Sequence, residues 1–222
     1  MRKNIIQRGS KSADGRSYIQ YDWFDHGIPA NVVFSEQVYI DSSYGFSAFH
    51  SALPVAMTMG KGSGCYDRAT FITGKKGKIE IGEFNIFNGS SFICNQEIRV
   101  GSHCMFAWGS VVTDSWLNGR LLTAEQRRKI LNSAAKDKLR PLPSDTVSKP
   151  VLIEDNVWVG FDAVVLSGVK LGRGSIIGSK SIVTEDVPAY AIVAGNPAKI
   201  IRYLQPDDTE EMKKALMQEY LL

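Results

Sequence analysis

Cysteine is scarce in this sequence. There are three, Cys65, Cys94 and Cys104, an odd number at no paired spacing. That excludes a disulfide framework and a Cys-based zinc motif, and it fits a reducing compartment, so a cytoplasmic location is expected. Histidine is equally scarce, at His26, His50 and His103. So few imidazoles restrict both metal sites and general bases, and no resident metal is expected. No apolar run approaches the length that spans a bilayer. The opening residues, MRKNIIQRGSKSADG, contain no apolar h-region, so no secretory leader is expected. Net charge is only +3, which gives no general attraction to nucleic acid. What is present suits one globular domain. The 222 residues are 44% hydrophobic and 22% charged, enough to bury a core and too apolar for disorder.

The strongest pattern is an internal repeat. In VLIEDNVWVGFDAVVLSGVKLGRGSIIGSKSIVTEDV, aliphatic residues fall at Ile153, Val159, Val165, Leu171, Ile177 and Val183, a period of six. Four places after each stands a small or β-branched residue: Val157, Ala163, Val169, Ser175, Ser181 and Val187. Glycine follows the aliphatic at Gly160, Gly172 and Gly178. A period of six fits neither a helix nor a half-buried strand. It fits a three-sided solenoid, in which each hexad supplies one short flat side and one corner, and three hexads make a coil. The same spacing extends upstream in triplets: Ile28, Phe34, Ile40; Met59, Cys65, Phe71; Ile81, Phe87, Ile93; and Val100, Phe106, Val112. Six coils stacked by parallel pairing make a prism about 29 Å long. Exceptions at the small position are Asn85 and four residues in the third hexad of a coil: Tyr44, Lys75, Glu97 and Trp116. Insertions at 47–58, 74–79, near Arg99 and at 115–150 therefore all leave from one corner, as a solenoid requires.

The longest insertion contains LLTAEQRRKILNSAAKDKLRPLP, where Thr123 and Gln126 form a capping-box spacing and Pro141 and Pro143 end a helix. Between Arg120 and Lys149 there are eight Lys or Arg and three Asp or Glu. This basic stretch reads either as an arm near a phosphorylated ligand or as a solvated helix face. After Val187 a Gly195-Asn196-Pro197 turn redirects the chain, and PDDTEEMKKALMQEYLL reads as a C-terminal helix. The expected organisation is an N-terminal cap at 1–27, an all-β solenoid of about six coils at 28–192 carrying the excursion 115–150, and a turn and helix at 193–222. Tyr18, Tyr21, Trp23 and Phe24 of the cap either line an acceptor wall or cover the first strand.

The run IEDNVWVGFDAVVLSGVKLGRGSIIGSKSIVTEDVPAYAIVAGNPAKIIR closely resembles the hexapeptide-repeat acetyltransferases, among them galactoside, maltose and xenobiotic acetyltransferases and the O-acetyltransferases of surface-polysaccharide biosynthesis. The resemblance implies a left-handed parallel β-helix, a homotrimer with active sites in clefts between prisms, and acetyl-CoA as acyl donor lying along the coils. It implies cofactor contacts at Trp158 in the VWVG motif, at Ser179 and Thr184, and at Lys199 and Arg202 for the phosphates. Two positions depart from the family pattern. Phe161 replaces a small residue, and Glu185 stands where lysine is common.

The family's chemistry implies direct acyl transfer to a hydroxyl or amine, with a histidine as general base. That histidine is expected just after the fourth coil, where this chain has Leu117 and Asn118. The candidates to replace it are His103, expected to face outward on a flat side, and Asp114, as a base or as a partner orienting a histidine. His50, His26 and Asp162 are weaker ones. Three readings follow. The first is an acetyl-CoA-dependent transferase O-acetylating a sugar or sugar-like acceptor. The second is a trimeric binding or scaffold protein without catalysis. The third is a zinc hydratase of the carbonic-anhydrase kind, whose three converging histidines the spacing of His26, His50 and His103 does not supply.

Overall fold

The computed structural model describes residues 15–116, 123–136 and 147–205. The chain winds into a three-sided solenoid of about six coils, each side a parallel sheet running along the axis. Face one stacks Val32–Phe34, Met57–Met59, Lys78–Ile81, Glu97–Val100, Val151–Ile153 and Lys170–Leu171. Face two stacks Tyr39–Ile40, Gly64–Tyr66, Ile86–Asn88, Met105–Phe106, Trp158–Val159, Ile176–Ile177 and Ala191–Gly195. The last of these folds back as an antiparallel hairpin onto Ala198–Tyr203. Face three stacks Thr70–Thr73, Ser91–Cys94, Val111–Thr113, Val164–Val165 and Ile182–Val183.

The core is the set of columns that the period of six predicts. Met59, Ile81, Val100, Ile153 and Leu171 pair in register along face one and are buried. Ile40, Cys65, Phe87, Phe106, Val159 and Ile177 do the same along face two. Face three contributes Phe71, Phe92, Val112, Val165 and Val183. The upstream half is filled by aromatics: Phe46, Phe71 and Phe92 stack at 5.5 and 5.6 Å. The small inward residues Val157, Ala163, Val169, Ser175, Ser181 and Val187 are all buried. Asn85, an exception to that rule, is buried too. Its Nδ2 donates to Gly101 O and its Oδ1 accepts from Cys104 N, at 2.9 and 2.7 Å.

Two upstream assignments are corrected. The first coil runs Phe34, Ile40, Phe46, because Val32–Phe34 pairs with Met57–Met59. Ile28 is buried but bridges antiparallel to Ser17 in the N-terminal segment. In the third coil the inward residue is Phe92, and Ile93 is half-buried. The corner there is one residue shorter. Gly89 alone adopts φ +48°, where the coil below uses Asp67 and Arg68 at +52° and +62°. A glycine takes that conformation without a Cβ clash.

All the insertions leave from the corner between faces three and one, as the repeat required. Within the longest, the helix spans Ala124–Lys136, and its capping box forms as expected. Thr123 N donates to Gln126 Oε1 and Gln126 N to Thr123 Oγ1, at 2.7 and 3.2 Å. The excursion is closed at its base by an antiparallel pair, Ser115–Trp116 with Val147–Ser148. The C-terminal helix expected after residue 205 lies outside the described residues, as do Pro141 and Pro143. In the N-terminal segment Asp22 ties down the first coil. Its carboxylate accepts from the Ser42 and Ser43 hydroxyls and from Ser43 N, while Trp23 and Phe24 pack on Tyr44.

Candidate active site

His103 stands at the corner between faces one and two, not on a flat side. The third residue after each face-one aliphatic is left-handed: Gln37, Gly62, Phe84, His103, Asn156 and Gly174, with φ between 54° and 69°. These residues stack as a column along one edge of the prism. His103 N donates to Glu83 O at 2.9 Å, and the imidazole stacks on Phe84, centroids 5.4 Å apart. Neither ring nitrogen of His103 has a hydrogen-bond partner among the described residues.

The imidazole opens on a cleft of about 220 Å³ whose other walls include Met105, Asn156, Trp158, Ile176 and Tyr190. Trp158 projects outward from face two and is 45% exposed. Its Cα neighbours in register are Met105 and Ile176, one coil below and one above. The solenoid thus brings His103 and Trp158 together, although they are separated by the long excursion. Asn156 and Tyr190 were not singled out from the sequence. Asn156 sits three places after Ile153, as His103 does after Val100, and that shared offset is the signal that would have found it.

A larger groove of about 550 Å³ lies on face one, around Glu80, Arg99, Leu152, Glu154, Asp155 and Arg173. Its charges are paired with one another. Arg99 bridges Glu80 and Glu97 at 3.3 and 2.8 Å, Lys170 meets Glu154 at 2.7 Å, and Arg173 meets Asp155 at 3.7 Å. The Lys170 ammonium holds the Glu154 carboxyl below its ordinary range. This ladder ties coils together and pairs the charged side chains of the groove among the described residues.

Asp114 has no access to a ligand. It is fully buried at the corner between faces three and one, with the strand Glu97–Val100 between it and the His103 corner. Its carboxylate accepts from the backbone N–H groups of Asn95, Gln96 and Glu97 at 2.7 to 3.1 Å and from the Ser115 hydroxyl at 2.5 Å. It can neither reach an acceptor nor orient His103. The expectation that it acts as base or partner is corrected: the carboxylate is committed to holding a turn. Leu117 and Asn118 lie outside the described residues. His50 and His26 are exposed, the latter against Phe24. Asp162 is exposed beside Lys180.

The remaining cofactor candidates are spread over the last coils. Ser179 is exposed at the corner between faces two and three, and its backbone passes so close to Gly160 that a Cβ there would lie 2.7 Å from Ser179 N. Thr184 is exposed after the last side of face three. Lys199 and Arg202 lie exposed on the outer hairpin strand, and Lys199 faces Glu185 at 3.9 Å. None of Ser179, Thr184, Lys199 and Arg202 is among the residues that line the His103 cleft.

Residues 150–185 match the family model for the bacterial transferase hexapeptide (six repeats). Over 70 residues the chain is 47% identical to 2,3,4,5-tetrahydropyridine-2,6-dicarboxylate N-acetyltransferase of Staphylococcus aureus (strain JH9), covering 32% of this chain and 28% of that protein. The chain therefore matches little more than a quarter of that relative's length. Among solved structures, a hexapeptide-repeat acetyltransferase of Vibrio cholerae O1 biovar eltor, complexed with acetyl-coenzyme A, aligns with TM-score 0.53 and 25% identity, over 73% of this chain and 75% of that one. AntD, an N-acyltransferase of Bacillus cereus complexed with dTDP and 3-hydroxybutyryl-CoA, aligns with TM-score 0.56 and 17% identity, over 86% and 87%; that likeness is one of fold alone. The chain is a hexapeptide-repeat solenoid, similar in sequence over its last coils and in fold over most of its length to the hexapeptide-repeat acetyltransferases.

Proposed function

We propose that this chain is an acetyl-CoA-dependent acyltransferase that O-acetylates a sugar or sugar-like acceptor, working as a homotrimer, with surface-polysaccharide precursors as the substrate class. The observation that carries the reading is the cleft in which His103, whose imidazole has no hydrogen-bond partner among the described residues, stands beside Trp158, with exposed cations Lys199 and Arg202 on the outer strand of the last hairpin. The Vibrio cholerae relative, bound to acetyl-coenzyme A, supports the donor.

Bound acetyl-CoA would supply the activated acetyl group. His103 would accept the proton of the acceptor hydroxyl as its oxygen attacks, which a neutral hydroxyl needs in order to react. The same imidazolium would then return that proton to the departing thiolate, leaving the base neutral again. Trp158 would form the apolar wall that orients the donor's arm, and Ser179, Thr184, Lys199 and Arg202 would hold the rest of it. The residues lining the cleft favour a neutral acceptor. Among the described residues they include no Lys or Arg, so a dicarboxylate such as the one named for the Staphylococcus aureus relative would find no cation among them. The three buried free cysteines fit a cytoplasmic enzyme.

A non-catalytic scaffold is the second reading, favoured by one observation: among the described residues no carboxylate orients His103. Calorimetric titration of acetyl-CoA separates the two, since a scaffold gives no heat at millimolar donor. In thiol-release assays with a panel of sugars, His103→Ala is expected to lower kcat about 100-fold or more with acetyl-CoA affinity unchanged. Unchanged turnover would remove His103 from the mechanism.

A further inference from the structure

The backbone at the His103 corner is pitched by the same hydrogen bond in successive coils. Phe84 N donates to Lys61 O, His103 N to Glu83 O and Asn156 N to Ser102 O, at 2.8, 2.9 and 2.8 Å. Phe84 and His103 also share a left-handed backbone, with φ 54° and 60°. Their side chains therefore leave the corner in the same direction, one coil apart. The two rings meet as an offset, near-parallel stack, 22° between planes and 5.4 Å between centroids.

Phe84 has its own seat. A Cβ on Gly62, one coil below, would come within 2.5 and 2.6 Å of Phe84 Cδ1 and Cε1. The half-buried ring thus lies over Gly62, in room that any side chain there would fill. Gly174 gives Tyr190 the same room at the other end of the cleft, 2.7 and 2.8 Å from Cδ1 and Cε1. In the column the Phe84 ring stands between Gly62 and the imidazole.

We propose that Phe84 is the positioning residue of the His103 base, with Gly62 as the seat that holds its ring. This rests on the reading of His103 as the base of acyl transfer. In a serine–histidine–aspartate triad an aspartate orients the imidazole. Among the described residues no carboxylate is hydrogen-bonded to His103. A stacked ring does that work differently. It fixes the plane of the imidazole and leaves both nitrogens, which lie in that plane, open to accept or donate. It also favours the charge that forms when His103 takes the acceptor's proton, because an aromatic face attracts a cation within about 6 Å of its centre. Once the imidazolium passes that proton to the departing thiolate, the attraction lapses and the base is neutral again.

The test combines kinetics with proton NMR of the full chain. Phe84→Leu keeps an apolar side chain at the half-buried site and removes the aromatic face. In thiol-release assays with acetyl-CoA and glucose, galactose or N-acetylglucosamine, it should lower kcat and kcat/KM together by about tenfold, with the Kd for acetyl-CoA unchanged. Phe84→Tyr, which restores the ring, should recover most of that loss. Gly62→Asn should act as Phe84→Leu does, from two coils below the base. Asparagine accepts the left-handed backbone, as Asn156 does further up the column, and its side chain takes the room of the Phe84 ring.

In the NMR spectrum the His103 ring protons, assigned by their loss in His103→Ala, should be shielded by Phe84. In Phe84→Leu they should move toward the positions of a free imidazole. His26, stacked on Phe24 with centroids 4.1 Å apart, should stay in place as an internal control. Three results would each overturn the proposal in an active enzyme: wild-type kcat in Phe84→Leu, a Phe84→Tyr variant as slow as Phe84→Leu, or His103 protons that ignore the leucine. A wild type that neither binds acetyl-CoA nor releases thiol with any of these sugars would instead sink the transferase reading and take this proposal with it.

Discussion

Asp114 shows how one side chain can decide a local fold. Three backbone N–H groups from Asn95 to Glu97 and one hydroxyl converge on its carboxylate, fully out of water. Asp114→Asn would turn an N–H₂ donor toward those donors while keeping the volume. The buried amides would lose their acceptor, at a cost of about 3 kcal/mol. Urea unfolding should show the midpoint fall while the slope stays constant, and a variant as stable as the wild type would refute this role. The cysteines make a second point at the same scale. Burial pushes the Cys104 thiol up to about 12 and also raises those of Cys65 and Cys94, the last with help from the adjacent Asp114. A thiol without access or thiolate character is inert. None of the three should react with Ellman's reagent at about pH 8 in native protein, and all three should react in denaturant.

At the scale of the coil, spacing is set by how closely backbones approach. Gly160 is the clearest case, because a Cβ there would press on Ser179 N and on Ile177 O, at 2.7 and 2.8 Å. Both are backbone atoms, Ile177 O accepting from Gly160 N in the face-two ladder, and cannot move aside cheaply. Gly160→Ala should therefore cost about 1–3 kcal/mol, seen as a lower thermal midpoint. If Ser179 contacts the donor as proposed, acetyl-CoA affinity should fall with it. The coils also show what a period of six can and cannot reveal. From Ile153 to Val183 every hexad is regular, and each inward residue was legible. Upstream, Phe92 and Ile93 are adjacent and both apolar, so nothing in the pattern betrays a corner that is one residue short. Phe34 and Phe46 were likewise legible as apolar, but not which of Ile28 and Phe46 completes the first coil. The site was legible only as separate residues. His103 and Trp158 were both named, yet their meeting depends on a left-handed corner and on the stacking of the coils on either side of the long excursion. Asp114 was read as chemistry because its sequence position adjoins the missing histidine, and only its inward rotamer reveals that it holds a turn.

For the molecule as a whole, the three faces differ in what they present to solvent. Outward positions on face one include Glu80, Arg99 and Lys170, with Glu80 paired to Arg99 and Lys170 to Glu154. Those on face two include Tyr66, Ile86, Met105 and Trp158, all exposed. A contiguous apolar strip of this kind marks an interaction surface, and face two also carries the cleft assigned to acyl transfer. The trimer proposed above would cover the strip and place each cleft between two prisms. Ile86→Glu tests this without touching a residue that lines the cleft. In a monomer a charge at an exposed position changes stability by no more than about 0.5 kcal/mol. In an assembly that buries face two, the same charge loses its water and has no partner, so association should fail. Light scattering should give a trimeric mass for the wild type and a monomeric one for the variant, with the heat of acetyl-CoA binding lost alongside if the cleft is shared. A wild-type chain that scatters as a monomer yet binds donor would place the whole site on a single prism and leave the apolar strip without its proposed partner.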